Sequence, residues 1–332
     1  MPDRLLAPWH EGPWSTLYQR YRDGKLPHAV LINGVDGIGQ RVFANHIADA
    51  LLCEELSKQA AIEGVAACGK CSACQLRLAG SHPDLKEVAP LEGDAFIKVD
   101  AIRDLIQWMQ LTPQYEGNKI AIVDQAHAMN RNAANSLLKT LEEPSARAFI
   151  MLLSDAATSM PATVRSRCQK VTLKLTDTAQ AVDWLRQKSV PDPEVALSLA
   201  RNGPFLALEL AESDYPEQRQ RLLTAWRDIV LGKASIERAV ESIKDLPTQL
   251  CLRTFSSWTT DLARMTTSSD APIGHEPDRE TLLSLCGALK TEDWFSLYDQ
   301  MLKLYRIDST SFKTHTVLEG LFADIRLRYS TV

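Results

Sequence analysis

A glycine-rich loop at residues 34–41 has the spacing of a phosphate-binding loop but lacks its two chemical side chains. A working loop reads G-x-x-x-x-G-K-[ST], in which the lysine neutralises phosphate charge and the hydroxyl binds magnesium. Gly34 and Gly39 occupy the two glycine positions, with Gly37 between them. Gln40 stands at the lysine position and Arg41 at the hydroxyl position. The loop keeps the glycine frame of a nucleotide site without the groups that bind Mg·ATP.

The two replacements do not restore the lost chemistry. Gln40 is neutral, and Arg41 lies one residue further on, turned by about 100° around the helix that follows. The N-terminus of that helix could still hold an anion through its backbone N–H groups. We do not expect the loop to bind Mg·ATP well.

A second apolar segment ends in an incomplete magnesium box. Residues 119–123 predict a buried strand, and Asp124 and Gln125 follow it, ahead of Ala126 and His127. An Asp-Glu-Ala-His box would place glutamate at Gln125, and an amide cannot accept the proton of an attacking water. Because the loop hydroxyl is also missing, we predict that Asp124 caps the next turn rather than binding a metal. Two losses at one site indicate that it does not hydrolyse ATP.

Four cysteines cluster as C-x14-C-x2-C-x2-C. They are Cys53, Cys68, Cys71 and Cys74, out of seven cysteines in the chain. Two-residue spacings let neighbouring thiolates reach one ion, four sulfurs satisfy tetrahedral zinc, and Gly69 allows the tight turn between them. The alternatives are unligated thiols and an iron–sulfur cluster, whose fourth cysteine usually follows downstream before a proline. With four protein ligands, the predicted zinc is structural.

The elements that position these residues alternate in the first half of the chain. Continuous apolar runs predict strands at 29–32, 119–123 and 149–153. Helices are predicted at 42–52, from a cap at Asp100, and at 132–143 before Pro144. Buried strands alternating with helices predict a parallel sheet covered on both faces, with polar residues at the carboxyl ends of the strands.

The character of the chain changes after about residue 170. Strand-like runs end, a small helical region covers 176–210, and longer helices are predicted at 248–265, 280–289, 292–305 and 314–328. Three tryptophans and a tyrosine recur at helical spacing and are predicted to lie in the bundle core rather than at an interface: Trp226, Trp258, Trp294 and Tyr305.

Composition limits the class of protein. The chain has 332 residues, 45% of them apolar and 24% charged, with a formal net charge of −5. This size predicts two or three domains, and the acidic balance argues against a nucleic-acid grip over the whole surface. No apolar run has the roughly 20 residues that a membrane span needs, so we expect a cytoplasmic protein.

Four further segments are specific enough to indicate a family. They are Pro-His-Ala at 27–29, Ser-His-Pro-Asp at 81–84, the run 132–144, and Ser-Arg-Cys at 166–168. With the loop and the cysteines, they resemble the delta-prime subunits of bacterial DNA polymerase III clamp loaders, in the AAA+ clamp-loader family. The resemblance covers residues 27 to about 175.

The resemblance implies an α/β plus all-α fold in three parts. Residues 1–170 would form an AAA+ RecA-like parallel-sheet domain with a zinc module inserted at about 50–80. Residues 171–210 would form a small helical lid domain and residues 211–332 a C-terminal helical collar that mediates oligomerisation.

The resemblance also implies one catalytic residue. The arginine of the family's Ser-Arg-Cys triplet reaches the ATP of the neighbouring motor subunit, and a guanidinium suits this because it is permanently charged and forks onto phosphate oxygens. Here that residue is Arg167, between Ser166 and Cys168, with Arg165 as a bystander. The alternative for Arg167 is a solvated surface arginine. Members that hydrolyse ATP carry another arginine in the lid, where this chain has Phe205.

By the same resemblance, the chain would be a non-ATPase part of the polymerase holoenzyme. It would stand at one end of a pentameric arc with delta and three motor (gamma/tau) subunits, and the arc would place the sliding clamp on primed DNA. Structural zinc is the cofactor expected, and no membrane is involved. The alternatives are an active AAA+ ATPase with an unusual loop, and a zinc-dependent nucleic-acid module, for which Lys70 and Arg77 offer few phosphate contacts.

Overall fold

Apolar segments in the first part of the chain pair into a parallel sheet. The computed structural model describes residues 6–58, 67–91, 96–115, 117–306 and 314–329. Within these ranges five strands pair in the order β2-β3-β4-β1-β5, and every pair is parallel. The strands are β1 (Ala29–Asn33), β2 (Leu85–Val88), β3 (Lys119–Val123), β4 (Ala148–Ser154) and β5 (Gln169–Thr172).

Helices alternate with these strands. In chain order they are α1 (Glu11–Arg22), α2 (Gln40–Leu52), α3 (Glu54–Lys58), α4 (Ser72–Leu78), α5 (Val99–Gln110), α6 (Arg131–Glu142) and α7 (Ala162–Arg165). Ile102, Leu105 and Met109 are fully or almost fully buried and form one face of α5. Together with buried residues of α6 and the sheet, they form one continuous hydrophobic core.

Because every strand pair is parallel, the carboxyl ends of the strands lie along one side of the sheet, called here its carboxyl edge. β1 lies between β4 and β5, so Asn33 pairs with Ser154 on one side and Thr172 on the other. The phosphate-type loop leaves β1 at this edge, and the Asp124 segment leaves β3 there. This is the edge at which open α/β sheets bind ligands.

The three predicted strands are present, and the prediction missed two more. Both missed strands, β2 and β5, lie at the edges of the sheet. They read Leu-Lys-Glu-Val and Gln-Lys-Val-Thr, and most of their residues are partly or fully exposed. An edge strand has one neighbour and tolerates charged residues, so it lacks the continuous apolar run on which the prediction relied.

The helix boundaries differ from prediction at their first turns. The prediction that Asp100 caps α5 is wrong, because Lys98 is the N-cap and Asp100 lies inside the first turn. A carboxylate there still interacts favourably with the helix dipole. Helix α6 begins at Arg131, since the Asn130 side chain accepts a hydrogen bond of 2.8 Å from the Ala133 N–H.

The remainder of the described chain is helical. Its helices are α8 (Thr178–Gln187), α9 (Pro193–Leu199), α10 (Pro204–Glu212), α11 (Tyr215–Val230), α12 (Ile236–Glu241), α13 (Thr248–Met265), α14 (Arg279–Cys286), α15 (Thr291–Arg306) and α16 (Thr314–Tyr329). The parallel sheet and this all-α part confirm the predicted fold class. No helix in the described ranges is long and apolar enough to cross a bilayer.

The chain divides into two compact units. One contains residues 1–184 and 202–205, and the other contains 185–201 and 206–332. The predicted boundaries at residues 170 and 210 stay a prediction.

The core of the second unit contains the predicted tryptophans. Trp226, Trp258 and Trp294 are fully buried, whereas the side chain of Tyr305 lies outside the described residues. A buried ion pair joins Arg219 to Asp278, and the Trp258 indole N–H donates to the same carboxylate at 2.7 Å. Because each charged group of this pair is matched, the pair can lie inside an apolar bundle.

Candidate functional site

The loop between β1 and α2 has the backbone of a phosphate-binding turn. Gly37 and Gly39 have φ values of +74° and +98°, in the left-handed region that favours glycine. Gly39 is the N-cap of α2, so the N-terminus of that helix lies at the loop. A Cβ atom at Gly34 would come within 2.7 Å of the Ile38 side chain and 2.8 Å of the Leu173 carbonyl. The loop glycines are therefore required by close packing as well as by backbone conformation.

Gln40 folds back over its own loop. Its side-chain N–H group donates to the carbonyl of Gly34 at 3.2 Å and to that of Val35 at 3.1 Å. A lysine at this position would extend its charge to a bound phosphate. The amide of Gln40 instead stabilises the loop internally.

Arg41 is directed toward carboxylates of the same chain. Its guanidinium lies 3.0 Å from the Glu87 carboxylate on β2 and 3.8 Å from the Asp124 carboxylate after β3. The side chain is 63% exposed, so these contacts add little stability. They do place a permanent cation beside Asp124, where an active ATPase would have magnesium.

The prediction that Asp124 caps the next turn is wrong, because Gln125 is the N-cap of that turn (Ala126–Ala128) and no side chain caps it. The Asp124 carboxylate instead accepts a hydrogen bond of 2.9 Å from the N–H of the adjacent Gln125, which is exposed with φ +49°. The next polar side chain, His127, contacts the end of the neighbouring strand β4. Its ring nitrogen lies 3.1 Å from the Ser154 hydroxyl and 3.2 Å from the Asp155 carboxylate. The described groups at this edge thus satisfy one another.

Two aromatic residues of the N-terminal segment pack on the loop. Trp9 and His10 both approach the Ile38 carbonyl oxygen at 2.9 Å through a ring nitrogen. The other ring nitrogen of His10 accepts from the Ala7 N–H at 3.4 Å. His10 therefore donates to Ile38 as a neutral imidazole, and burial lowers its pKa from 6.5 to about 4.

Phe205 completes this aromatic cluster. Its ring is parallel to that of His10 at 6.0 Å between centroids and lies 4.9 Å from the ring of Trp184. Its backbone N–H donates to the Gly37 carbonyl at 2.9 Å. A Cβ atom at Gly39 would collide with both Phe205 and His10. The space beside the loop is therefore filled by the protein's own side chains.

The four clustered cysteines converge as predicted. The sulfur atoms of Cys53, Cys68, Cys71 and Cys74 all lie within 4.8 Å of one another, and the Cys68 and Cys74 sulfurs are 3.9 Å apart. Four thiolates around zinc, with Zn–S bonds of about 2.3 Å, would lie about 3.8 Å apart. The cluster fits one tetrahedral zinc ion without an open coordination position.

Backbone N–H groups support the thiolate form of one ligand. The Cys68 sulfur accepts from the N–H groups of Lys70 and Cys71 at 3.4 and 3.3 Å. These hydrogen bonds lower the pKa of Cys68 to about 7, whereas burial raises the pKa of Cys53 and Cys74. Gly69 has φ +70°, which confirms the turn predicted between the ligands.

The cysteine module is connected to the helix of the phosphate-type loop. Cys53 directly follows α2, and the buried Arg77 of α4 donates to Asp49 of α2 at 2.8 Å. The Glu54 carboxylate accepts from the Ala73 N–H, in the first turn of α4, at 3.0 Å, and the N-cap of that helix is the cysteine ligand Cys71. The cysteine module thus packs at the C-terminal end of α2, whereas the phosphate-type loop lies at its N-terminal end.

The Ser-Arg-Cys triplet follows the short helix α7. The Thr163 carbonyl accepts from the Ser166 hydroxyl at 3.1 Å and from the Arg167 guanidinium at 2.9 Å. Cys168 packs against the core of the α/β unit, and burial raises its pKa to about 11. Arg167 also contacts the Glu142 carboxylate, with its Nε atom 2.6 Å away. Cys168 anchors the triplet while Arg167 stays one-third exposed.

Sequence reasoning missed several residues of this region. Trp9, His10, Glu87 and Glu142 lie far along the chain from the groups that they contact. The first three stand outside the motifs used for prediction, and Glu142 lies in the run 132–144 but was given no role. Phe205 was assigned a position only by resemblance. The available signal was limited to the pair of adjacent aromatic residues at Trp9 and His10, in a segment with no other motif.

The sequence is similar to known replication proteins. The family described as DNA polymerase III, delta subunit, matches residues 9–177. The chain is 34% identical over 269 residues to DNA polymerase III subunit delta' of Pseudomonas aeruginosa, covering 80% of this chain and 79% of that protein. It is 36% identical over 221 residues to the protein of the same name from Haemophilus influenzae, covering 66% and 65% respectively.

A DNA polymerase III gamma subunit-related protein from Thermotoga maritima aligns with a TM-score of 0.48 and 17% identity, over 94% of this chain and 99% of that one.

The cysteine geometry predicts about one zinc ion per chain. We expect Cys71→Ser and Cys74→Ser to lose the metal, because each removes one of four ligands, and Cys168→Ser to retain it as a matched control. Elemental analysis of the purified variants measures this. Iron with visible absorbance, or no metal in the unaltered protein, would contradict the assignment.

The buried His10 predicts a specific loss of stability in acid. Its folded pKa of about 4 lies below the ordinary 6.5, so the unfolded chain binds a proton first as the pH falls. The contribution is complete above pH 6.5 and decreases as the pH falls toward 4, by up to about 3 kcal/mol.

Urea unfolding across this pH range, compared between the unaltered protein and His10→Phe, isolates the contribution of His10. The variant should show a weaker pH dependence than the unaltered protein. Parallel curves for the unaltered protein and His10→Phe would refute the expected shift.

Proposed function

Because the chain belongs to the DNA polymerase III delta' family, we propose that it is a clamp-loader subunit that binds no ATP of its own. It supplies Arg167 to the ATP held by a neighbouring motor subunit. The observation that carries this proposal is a contrast within one unit: the chain's own groups pack on the phosphate-type loop, whereas Arg167 stays partly exposed.

Three contacts support the loss of nucleotide binding. Gln40 bonds to carbonyls of the loop instead of presenting a charge. The Arg41 guanidinium lies 3.8 Å from the Asp124 carboxylate, which would face magnesium in an active ATPase. Phe205, at the position of the lid arginine in ATP-hydrolysing members, packs on Gly39 with His10. The loop therefore lacks a cationic side chain, Asp124 faces an arginine, and aromatic rings occupy the space beside Gly39.

The geometry of the triplet supports the role of Arg167. A finger must be held in position and still present N–H donors to a phosphate on another chain. The partly buried Cys168 packs against the core and anchors the turn, the Thr163 carbonyl orients the guanidinium, and the Arg167 side chain stays partly exposed. Arg165 is also exposed, but it ends helix α7 and precedes the anchored turn.

The proposed setting is the polymerase III clamp loader. The chain would assemble with delta and motor (gamma/tau) subunits, contribute its C-terminal helices to a collar, and act on the sliding clamp and primer–template DNA through the complex in the cytoplasm. The zinc ion would be structural, since all four positions are held by cysteine. The second candidate is an active ATPase with an atypical loop. The retained glycine frame of residues 34–39 supports it.

The altered loop predicts weak binding of ATP. The purified chain should bind Mg·ATP more weakly than about 1 mM and should not hydrolyse it, as measured by calorimetry and phosphate release. The variant Gln40→Lys with Arg41→Thr restores the loop side chains but leaves Phe205 and His10 in place, so we expect it to fail as well. Micromolar affinity with magnesium-dependent turnover would support the second candidate instead.

The variant Arg167→Ala, in a reconstituted, DNA-bound complex, tests the role of the arginine. Hydrolysis at the site that faces this chain should slow by roughly 10³-fold, because the charge that stabilises the transition state is lost. In single-turnover hydrolysis this site should appear as a separate slow phase, while assembly stays intact. Arg165→Ala is the matched control and should behave as the unaltered protein. Unchanged hydrolysis by Arg167→Ala would rule out the finger.

A further inference from the structure

Glu142 is the acidic partner of Arg167 in the described structure. It is the last residue of α6, while Arg167 follows α7, and these two helices pack against each other. The Nε atom of Arg167 lies 2.6 Å from Oε1 of Glu142, and its Nη2 atom contacts the same oxygen. One edge of the guanidinium is therefore occupied by a carboxylate.

The contacts of Arg167 leave part of its guanidinium available. A guanidinium has five N–H donors. One on Nε and one on Nη2 face Glu142, and one on Nη1 donates to the Thr163 carbonyl at 2.9 Å. Among the described contacts, each terminal nitrogen thus keeps one further N–H group. Two N–H groups on neighbouring nitrogens are the arrangement that forks onto phosphate oxygens.

We propose that Glu142 is a positioning residue that holds Arg167 by one edge and directs its terminal N–H groups toward the phosphates of a nucleoside triphosphate on the adjacent subunit. This inference rests on the proposed role of Arg167 as a finger. Its physical basis is that a long side chain loses much rotamer freedom when it must reach a single geometry. An acceptor on the same chain restricts that freedom before the nucleotide arrives, which lowers the cost of reaching the transition state.

The alternative is that Glu142 restrains Arg167 and that phosphate must displace it. The described geometry favours positioning, since the carboxylate contacts the Nε edge and does not use both N–H groups of either terminal nitrogen. The two roles predict opposite changes in rate when Glu142 loses its charge.

The test uses Glu142→Gln in the reconstituted, DNA-bound complex. The amide keeps the size of the side chain but weakens its hold on a guanidinium. We expect the single-turnover rate at the affected ATP site to fall about tenfold, less than for Arg167→Ala, with an unchanged KM for ATP. The thermal stability of the chain should not change, because exposed ion pairs contribute little.

Glu143→Gln provides the matched control. Glu143 is exposed and, within the described residues, forms no salt bridge, so its variant should behave as the unaltered protein. Glu142→Gln in the Arg167→Ala background should cause no additional loss, because Glu142 acts through Arg167.

The outcomes separate this inference from the proposed function. A slow phase in Arg167→Ala with normal hydrolysis in Glu142→Gln would overturn the positioning role and leave the finger intact. A faster rate in Glu142→Gln would identify a restraint and would also overturn it. An equal loss in both backgrounds would show that Glu142 acts independently of Arg167. If Arg167→Ala itself has no effect, the finger and its positioning residue fall together.

Discussion

Close packing against Gly39 is the constraint on which the nucleotide-site region depends. This residue has φ +98° and no room for a Cβ atom, because the rings of Phe205 and His10 already contact it. Hydrogen bonds from Trp9 and His10 to the Ile38 carbonyl and from Phe205 to the Gly37 carbonyl hold two distant segments on the same loop. A glycine frame that usually lets a phosphate approach the backbone here lets aromatic rings approach it. Glycine is therefore still required at Gly39, because aromatic side chains of the same chain pack on its backbone.

Two arginines of the α/β unit show how location decides chemistry. Arg41 and Arg167 are both exposed in part, and each contacts a carboxylate of its own chain. The guanidinium of Arg41 lies beside Asp124, inside the edge where magnesium would bind. That of Arg167 is held by Glu142 and Thr163 on an anchored turn, with an N–H group left on each terminal nitrogen. The first contacts carboxylates of its own sheet, and under the proposed function the second would contact a phosphate on another chain.

How well the sequence predicted the structure depended on the kind of signal. Strands β1, β3 and β4 lie inside the sheet and are almost entirely buried, so their apolar runs identified them. Helix α13 was predicted with its observed bounds, Thr248–Met265. The edge strands β2 and β5 were missed because their charged residues interrupt the apolar run. The cap of α5 was misplaced at Asp100, since acidic residues are favourable both at the cap and inside the first turn.

The sequence by itself determined the features that depend on local spacing. The glycine loop, the missing lysine and hydroxyl, the cysteine cluster and the Ser-Arg-Cys triplet each lie within a short segment or a repeated spacing, so their chemistry can be inferred from neighbouring residues. Only the tertiary structure decided that Arg41 reaches Glu87, that Phe205 and His10 cover Gly39, and that Glu142 holds Arg167. These partners are 25 residues apart for Glu142 and Arg167 and 46 for Arg41 and Glu87. Which of them meet depends on the strand order and on the packing of helices, because contacts at such separations follow from the whole fold and not from any local pattern.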